Sequence, residues 1–285
     1  MLLDSYTPGP RAETHRVTLG DSARMAGLPV ADPGPDPAKI ARGLGRLLHV
    51  DDVARISGWQ CWLQGQGDLD WGTRAMLLTT LLGREAAEDL EEGGRALFSH
   101  PAMVQELLQL LGVIRARLAH QTLPLRMEGI PLRIHGSYRL NEVMSALRDV
   151  RSGGLYLPRE GVHFDKKNNC NLLFVTLHKD EDDYSPSTLY ADYALGPQHF
   201  HWQSQSGTRA TDKKGQRHLK HAELGITPLL FVRPTRQDDR GESQAYTLLG
   251  PVTLDRWQGE RPMNIAWRLQ VPMPAELLRQ AKVVA

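Results

Sequence analysis

Apolar residues in this chain repeat at helical spacing up to about residue 123 and at strand spacing beyond residue 131. No single kind of element can absorb both periods. Ile40, Leu44, Leu47 and Leu48 fall at i, i+4, i+7 and i+8, one face of a helix. Asp51 and Asp52 stand where an N-cap opens a second helix through Val53, Ile56 and Trp59. A third starts after Gly72 with Met76, Leu77, Leu81 and Leu82 and stops near Gly83. The longest runs from Pro101, a good first-turn residue, to Leu118. These leucine stripes read as the core of a helical bundle over residues 36–127, behind a Pro- and Gly-rich lead-in over residues 1–35.

Beyond residue 131, β-branched and aromatic runs predict strands at 154–157, 161–165, 171–178, 199–204, 227–232, 245–249 and 264–271. One helical interruption is expected at 139–150, where Leu140, Val143, Met144 and Leu147 share a face. Lys166, Lys167, Asn168 and Asn169 read as a hairpin loop, because Asn tolerates left-handed backbone angles. Pro272 and Pro274 stop the last strand ahead of a short C-terminal helix. The fold expected is α+β: a helical bundle, then over residues 131–285 a mostly antiparallel curled sheet or small barrel.

Several function classes fall away at this point. No GxxxxGK[ST], GxSxG, HExxH or Gly-rich dinucleotide fingerprint occurs, so no nuclease, ATPase or hydrolase activity is expected, and no cofactor. No apolar run reaches the roughly 18 residues of a membrane span. With two cysteines in 285 residues and no signal peptide at the start, a reducing cytoplasm is the expected setting. His199 and His201 alternate on a strand and His218 and His221 stand three apart, yet no carboxylate or Cys pair completes a metal set. Hydrogen-bonded imidazoles are the expectation, and Cys170 reads as a small, part-buried thiol.

Two stretches carry more chemistry. If 199–204 is a strand, Phe200, Trp202 and Ser204 share one face while His201, Gln203 and Gln205 share the other. Rings beside amides and hydroxyls, with Tyr190, Asp192 and Tyr193 just upstream, suit an extruded base, whose faces are held by stacking and whose edges are read by hydrogen bonds. The alternative is a half-buried strand with Trp202 in the core. The second stretch, residues 208–221, holds Arg209, Lys213, Lys214, Arg217 and Lys220 against the single acid Asp212. Its net +4 equals the net excess of the whole of residues 131–285, and Thr211 or Asp212 could cap a short helix there. Such a cluster suits a phosphate track; a solvated loop is the plainer reading.

These residues also carry a resemblance. Residues 131–278 resemble the C-terminal domain, of unknown function, of bacterial superfamily-two helicases linked to restriction. The matching motifs are LLFVTLHK at 172–179, YSPSTLYADYA at 184–194, FHWQSQS at 200–206, GQR at 215–217, His221, LFVR at 230–233, YTLLGPV at 246–252 and PMNIAW at 262–267. The helical half is similar to the segment joining the helicase motor to that domain. The resemblance implies an SRA/PUA-like reader of 5-methylcytosine or a derivative, working with a phospholipase-D-type nuclease and a helicase whose motifs this chain lacks.

Together these readings give an expected role. The chain is a double-stranded-DNA-binding module that flips a modified base against Trp202, with Tyr190 or Tyr193 opposing it. Asp192, Gln203, Ser204 and His201 would line the pocket, and the cations of 208–221 would hold phosphates. The competing reading is a protein-interaction or small-ligand-sensing module of a helicase complex that touches no DNA.

Overall fold

The computed structural model describes residues 18–30, 32, 34, 35, 37–178, 192–237 and 241–281, which form two compact units. The first contains the described part of Met1–Gln121 together with Asn141–Leu157. Its helices are α1 (Leu19–Met25), α2 (Pro37–Gly45), α3 (Val53–Leu63), α4 (Trp71–Leu82), α5 (Leu90–Phe98), α6 (Pro101–Ala116) and α7 (Leu140–Leu147). Among the acceptor side chains that open them, Asp52 stands as the sequence suggests and Asp70 precedes a helix that starts before the expected Gly72. Asp52 accepts from the Ala54 N–H at 3.0 Å, and Asp70 accepts from Thr73 at 3.0 Å. Trp59, Ile56, Leu47, Met76, Leu77, Leu97 and Leu107 are fully buried at the centre. Trp59 Nε1 still finds an acceptor, the Thr73 carbonyl at 2.8 Å.

Helix α5 has no counterpart among the predicted helices, because Gly93 and Gly94 break its apolar period. Those two glycines are buried against α4 and α3: a Cβ at Gly93 would come within 3.2 Å of Leu78, and one at Gly94 within 3.1 Å of Arg74. The residues that hide the helix from a sequence reading are the ones that let it pack closely. The helix expected at 139–150 is α7. It packs in this unit through polar contacts: Asn141 donates to Thr80 at 3.1 Å and Ser145 lies 3.2 Å from Thr79.

The second unit contains Thr122–Leu140 and the described part of Pro158–Ala285. Strands are numbered along the chain. β1 (Leu123–Pro124) pairs with β2 (Arg133–Ile134), while β4 (Val150–Arg151) and β5 (Gly154–Leu155) form a ladder of the helical unit. The main sheet takes β3 (Ser137–Tyr138), β6 (Val162–Asp165), β7 (Cys170–Thr176) and β8 (Tyr193–Gly196). It also takes β9 (His199–Gln203), β10 (Thr227–Arg233), β11 (Tyr246–Gln258) and β12 (Asn264–Leu269). Their order is β6-β7-β10-β11-β12-β9-β8, with β3 on β11; only β7–β10 is parallel. Helix α8 (Lys213–Leu219) precedes β10, and α9 (Ala275–Ala281) closes the described chain.

The sheet curls but does not close among the described residues, so the curled sheet forms and the barrel does not. Strand β11 explains both facts. Its first part pairs with β10 and its last part, from Val252, with β12. Leu249 and Asp255 are extra residues in these two ladders, and such bulges bend a strand and increase its twist. Gly250, at φ +94°, sits at the first bulge. Two half-sheets thus share one bent strand, while β6 and β8 are the sheet's edges among the described residues. The hairpin at 166–169 forms, with Asn169 at φ +49° and Asp165 accepting from the Lys167 N–H at 2.9 Å. Phe200, Trp202, Leu230, Val232, Leu249, Ile265 and Trp267 make a core that Leu277 of α9 joins. No single described helix is long and apolar enough to cross a membrane.

Candidate functional site

Strand β9 divides the candidate residues between two faces. Phe200, Trp202 and Ser204 point inward, at 0%, 3% and 0% exposure, while His199, His201 and Gln203 are half-buried on the outer face. Trp202 is therefore a core residue, not the wall of an open pocket. Its ring meets the edge of His218 at 4.9 Å and lies 6.3 Å from Trp267. Ser204 is equally occupied: its backbone N–H donates to the Met263 carbonyl and its Oγ accepts from the Met263 N–H, both at 2.9 Å. Tyr193 is in register with His201 and shares its outer face, so it cannot oppose Trp202. The two-residue period of a strand is the physical reason. Tyr190, with the stretch at 184–191, lies outside the described residues.

The outer face gathers the rest. Tyr193 and His201 stack with centroids 4.5 Å apart and 18° between planes. Asp192 accepts from the Gln203 backbone N–H at 2.9 Å, fixing the chain just before β8 onto β9. Gln203 Nε2 donates to Asn264 Oδ1 at 2.9 Å. Register extends this face across β12 and β11. Gln203, Asn264 and Gln258 form one row, and Tyr193, His201, Ala266 and Arg256 the next. His199 and Arg268 follow. Stacked rings, amides and two arginines thus occupy one face of a rigid sheet.

The basic segment lies on the inner side as α8, opened by Asp212. Asp212 does not cap with its side chain; its Oδ2 accepts from the Arg209 N–H at 3.0 Å instead. Lys213, Arg217 and Lys220 recur at i, i+4 and i+7, one helix face, with Lys213 and Lys220 exposed. The Arg217 guanidinium lies over Phe164, 4.1 Å from its ring centre. Lys214 reaches Gln205 Oε1 at 3.1 Å and Glu160 at 3.5 Å, and Arg209 is exposed. The Gln205 hydrogen bond, and then the Lys214 charge, hold the Glu160 carboxyl below its ordinary range against some desolvation.

Residues 132–281 match the family model described as Domain of unknown function (DUF3427). The chain belongs to the DUF3427 family. No curated protein matches it.

The DUF3427 segment contains both the outer face and α8, and its GQR motif now has a structural account. A Cβ on Gly215 would stand 1.9 Å from the Arg209 carbonyl oxygen, so only glycine lets α8 lie on the preceding loop. Gln216 Nε2 donates to the Ala210 carbonyl at 2.6 Å, and Arg217 stacks on Phe164. Gly215→Ala should therefore destabilise this unit by about 1–3 kcal/mol, read as a fall in urea midpoint. Without the clash, alanine inside a helix would stabilise instead.

Two histidines of the DUF3427 segment, His218 and His221, serve the core. Asn171 Nδ2 donates to His218 Nδ1 at 3.1 Å, and burial pushes the His218 pKa down to about 4. His221 Nε2 accepts from the Leu254 N–H at 3.1 Å, satisfying β11 where β10 has left its edge. Its pKa is also lowered by burial. Burial and then Asp165 raise the Cys170 thiol to about 12, far from a reactive thiolate. No group of three or more His, Cys, Asp or Glu residues able to hold a metal occurs among the described residues. Asn264, Arg256, Gln258 and Arg268 escaped the sequence reading, because only strand register places them beside His201 and Gln203.

Proposed function

We propose that this DUF3427 chain is a DNA-binding module that reads a modified base, a methylated or hydroxymethylated cytosine, as the specificity part of a restriction system. The observation that carries this reading is the Tyr193–His201 stack beside the Gln203–Asn264 amide pair on one outer sheet face. A flipped base needs a ring to lie against and donors and acceptors at its edge. The Asn264 amide N–H2 has no partner among the described residues and can serve that edge. Trp202 and Ser204 act from behind, holding β9 rigid. The exposed Arg209, Lys213 and Lys220, carried with α8 on the inner side of the same sheet, would supply phosphate contacts. Strand separation and cleavage would come from a helicase and nuclease on other chains or domains.

The test is a fluorescence-anisotropy titration of unmodified, 5-methylcytosine and 5-hydroxymethylcytosine duplexes at two salt concentrations. One modified duplex should bind more tightly than the unmodified one, with a preference that survives higher salt. Tyr193→Ala should weaken that duplex by roughly 1–3 kcal/mol. Removing Lys213 and Lys220 should flatten the salt slope by about 0.9 per lost contact for every duplex alike. Equal binding of all three would overturn base reading. Absence of DNA binding, with co-purification of a helicase, would favour the interaction module.

A further inference from the structure

The far end of β11 is exposed from Asp255 to Gln258, and Trp257, 43% exposed, is the one exposed tryptophan of the six. It is the outermost member of a cross-strand row that runs through Ile265 to Trp202, at 0% and 3% exposure. Strand β10 leaves β11 at Pro251, so among the described residues no strand follows β10 along this end. Among the described residues no ring or guanidinium packs on the indole.

The turn that follows Trp257 is tied to its surroundings. The Arg261 N–H donates to the Thr208 carbonyl at 3.2 Å, and the Ala210 N–H donates to Glu260 at 3.3 Å. These bonds, with the Ser204–Met263 pair, tie the hairpin end to the loop that leads into α8. Arg261 lies in the turn that follows β11, and these bonds bring the loop carrying Arg209, with Lys213 at the start of α8, to that turn; all three cations are exposed. Two of the nearby acids are spent on the scaffold, Glu260 on the Ala210 N–H and Asp212 on the Arg209 N–H. The third, Asp255, lies 3.3 Å from Arg256. No carboxylate lies within ion-pair distance of Arg209, Arg261 or Lys213 among the described residues.

We infer that Trp257 is a stacking platform for a base of an unpaired DNA strand, with Arg209, Arg261 and Lys213 holding the adjoining phosphates. A base paired inside a duplex has both faces covered by its neighbours, whereas an unpaired one can offer a face to the indole. This rests on the DNA-binding reading above but assigns a second contact, on the opposite sheet face from Tyr193 and His201. It gives the module a hold on a strand that leaves the duplex.

The probe is a duplex with a single-stranded tail carrying one 2-aminopurine, compared with the blunt duplex of the same sequence. The full chain should bind the tailed form more tightly and quench the 2-aminopurine. Trp257→Ala should lose roughly 5- to 150-fold in affinity for the tailed form only, and lose the quenching. Trp257→Phe, which keeps an aromatic ring, should retain most of both. Tailed and blunt duplexes bound equally by the wild type, or an unchanged Trp257→Ala, would overturn the platform and leave base reading standing. A wild type that binds neither duplex would overturn both.

Discussion

Replacing Glu142 with alanine is expected to cost the helical unit about 3–5 kcal/mol, because it leaves an arginine buried without its main counter-charge. Glu142 is fully buried in α7. Arg55 Nη1 donates to its Oε1 at 2.8 Å and His49 Nε2 lies 2.6 Å from its Oε2. The Arg55 side chain is only 2% exposed, and the next carboxylate, Asp51, is 4.0 Å away. Burying two charges is costly, and good geometry makes it tolerable; truncating one partner keeps the cost and discards the compensation. Urea unfolding followed by tryptophan emission reads the effect, since the Arg55 guanidinium sits 5.4 Å from the centre of the buried Trp59 ring. The two units can melt separately, so the transition that moves must be identified by its slope as well as its midpoint. Arg55→Met combined with Glu142→Leu should recover most of the loss, because neither charge then remains. A single-variant loss below about 1 kcal/mol would mean that the pair is solvated rather than buried.

Sequence reasoning reaches the elements whose signal is local. Asp52 caps a helix, Asn169 turns a hairpin, Pro101 opens α6, and the alternation through β9 is visible in the order Phe200-His201-Trp202-Gln203. It fails where meaning depends on a partner strand. Gly250 and Pro251 read as the end of a strand, yet the chain continues through a bulge to Gln258, carrying Arg256 and Trp257 into view. Strand β8 hides because Gly196 and Pro197 look like a loop. The two faces of β9 were legible; which of them is covered was not, and that decides whether Trp202 or Tyr193 can meet a ligand. α8 shows the same limit. The charge run predicts its cations, but only packing shows that Gly215 seats the helix and that Arg217 leans on Phe164.

Acidification should cost the β-rich unit about 3 kcal/mol between pH 6.5 and 4, most of it through His218. Its pKa falls from 6.5 to about 4, chiefly because the ring is buried and also because Arg217, His221 and Lys214 lie near it. In the unfolded chain the imidazole takes a proton below about pH 6.5, whereas the folded site resists until about pH 4. The unfolded state binds more protons throughout that window. Stability is therefore complete above the unfolded value and falls as pH drops toward the folded one. His221 shifts in the same direction and adds to the slope. His218→Gln separates the two, since a glutamine can still accept from Asn171 without titrating. Urea midpoints at pH 7 and pH 4.5 should fall steeply for the wild type and much less for the variant; an equal fall in both would assign the effect elsewhere. The same proton bears on binding. Added positive charge alone would tighten DNA at low pH. Yet His218 anchors α8 to Asn171 and Trp202, and α8 carries Lys213, Arg217 and Lys220. If a seated helix is what aligns those cations, affinity should drop on acidification in the wild type, and His218→Gln should reverse the trend.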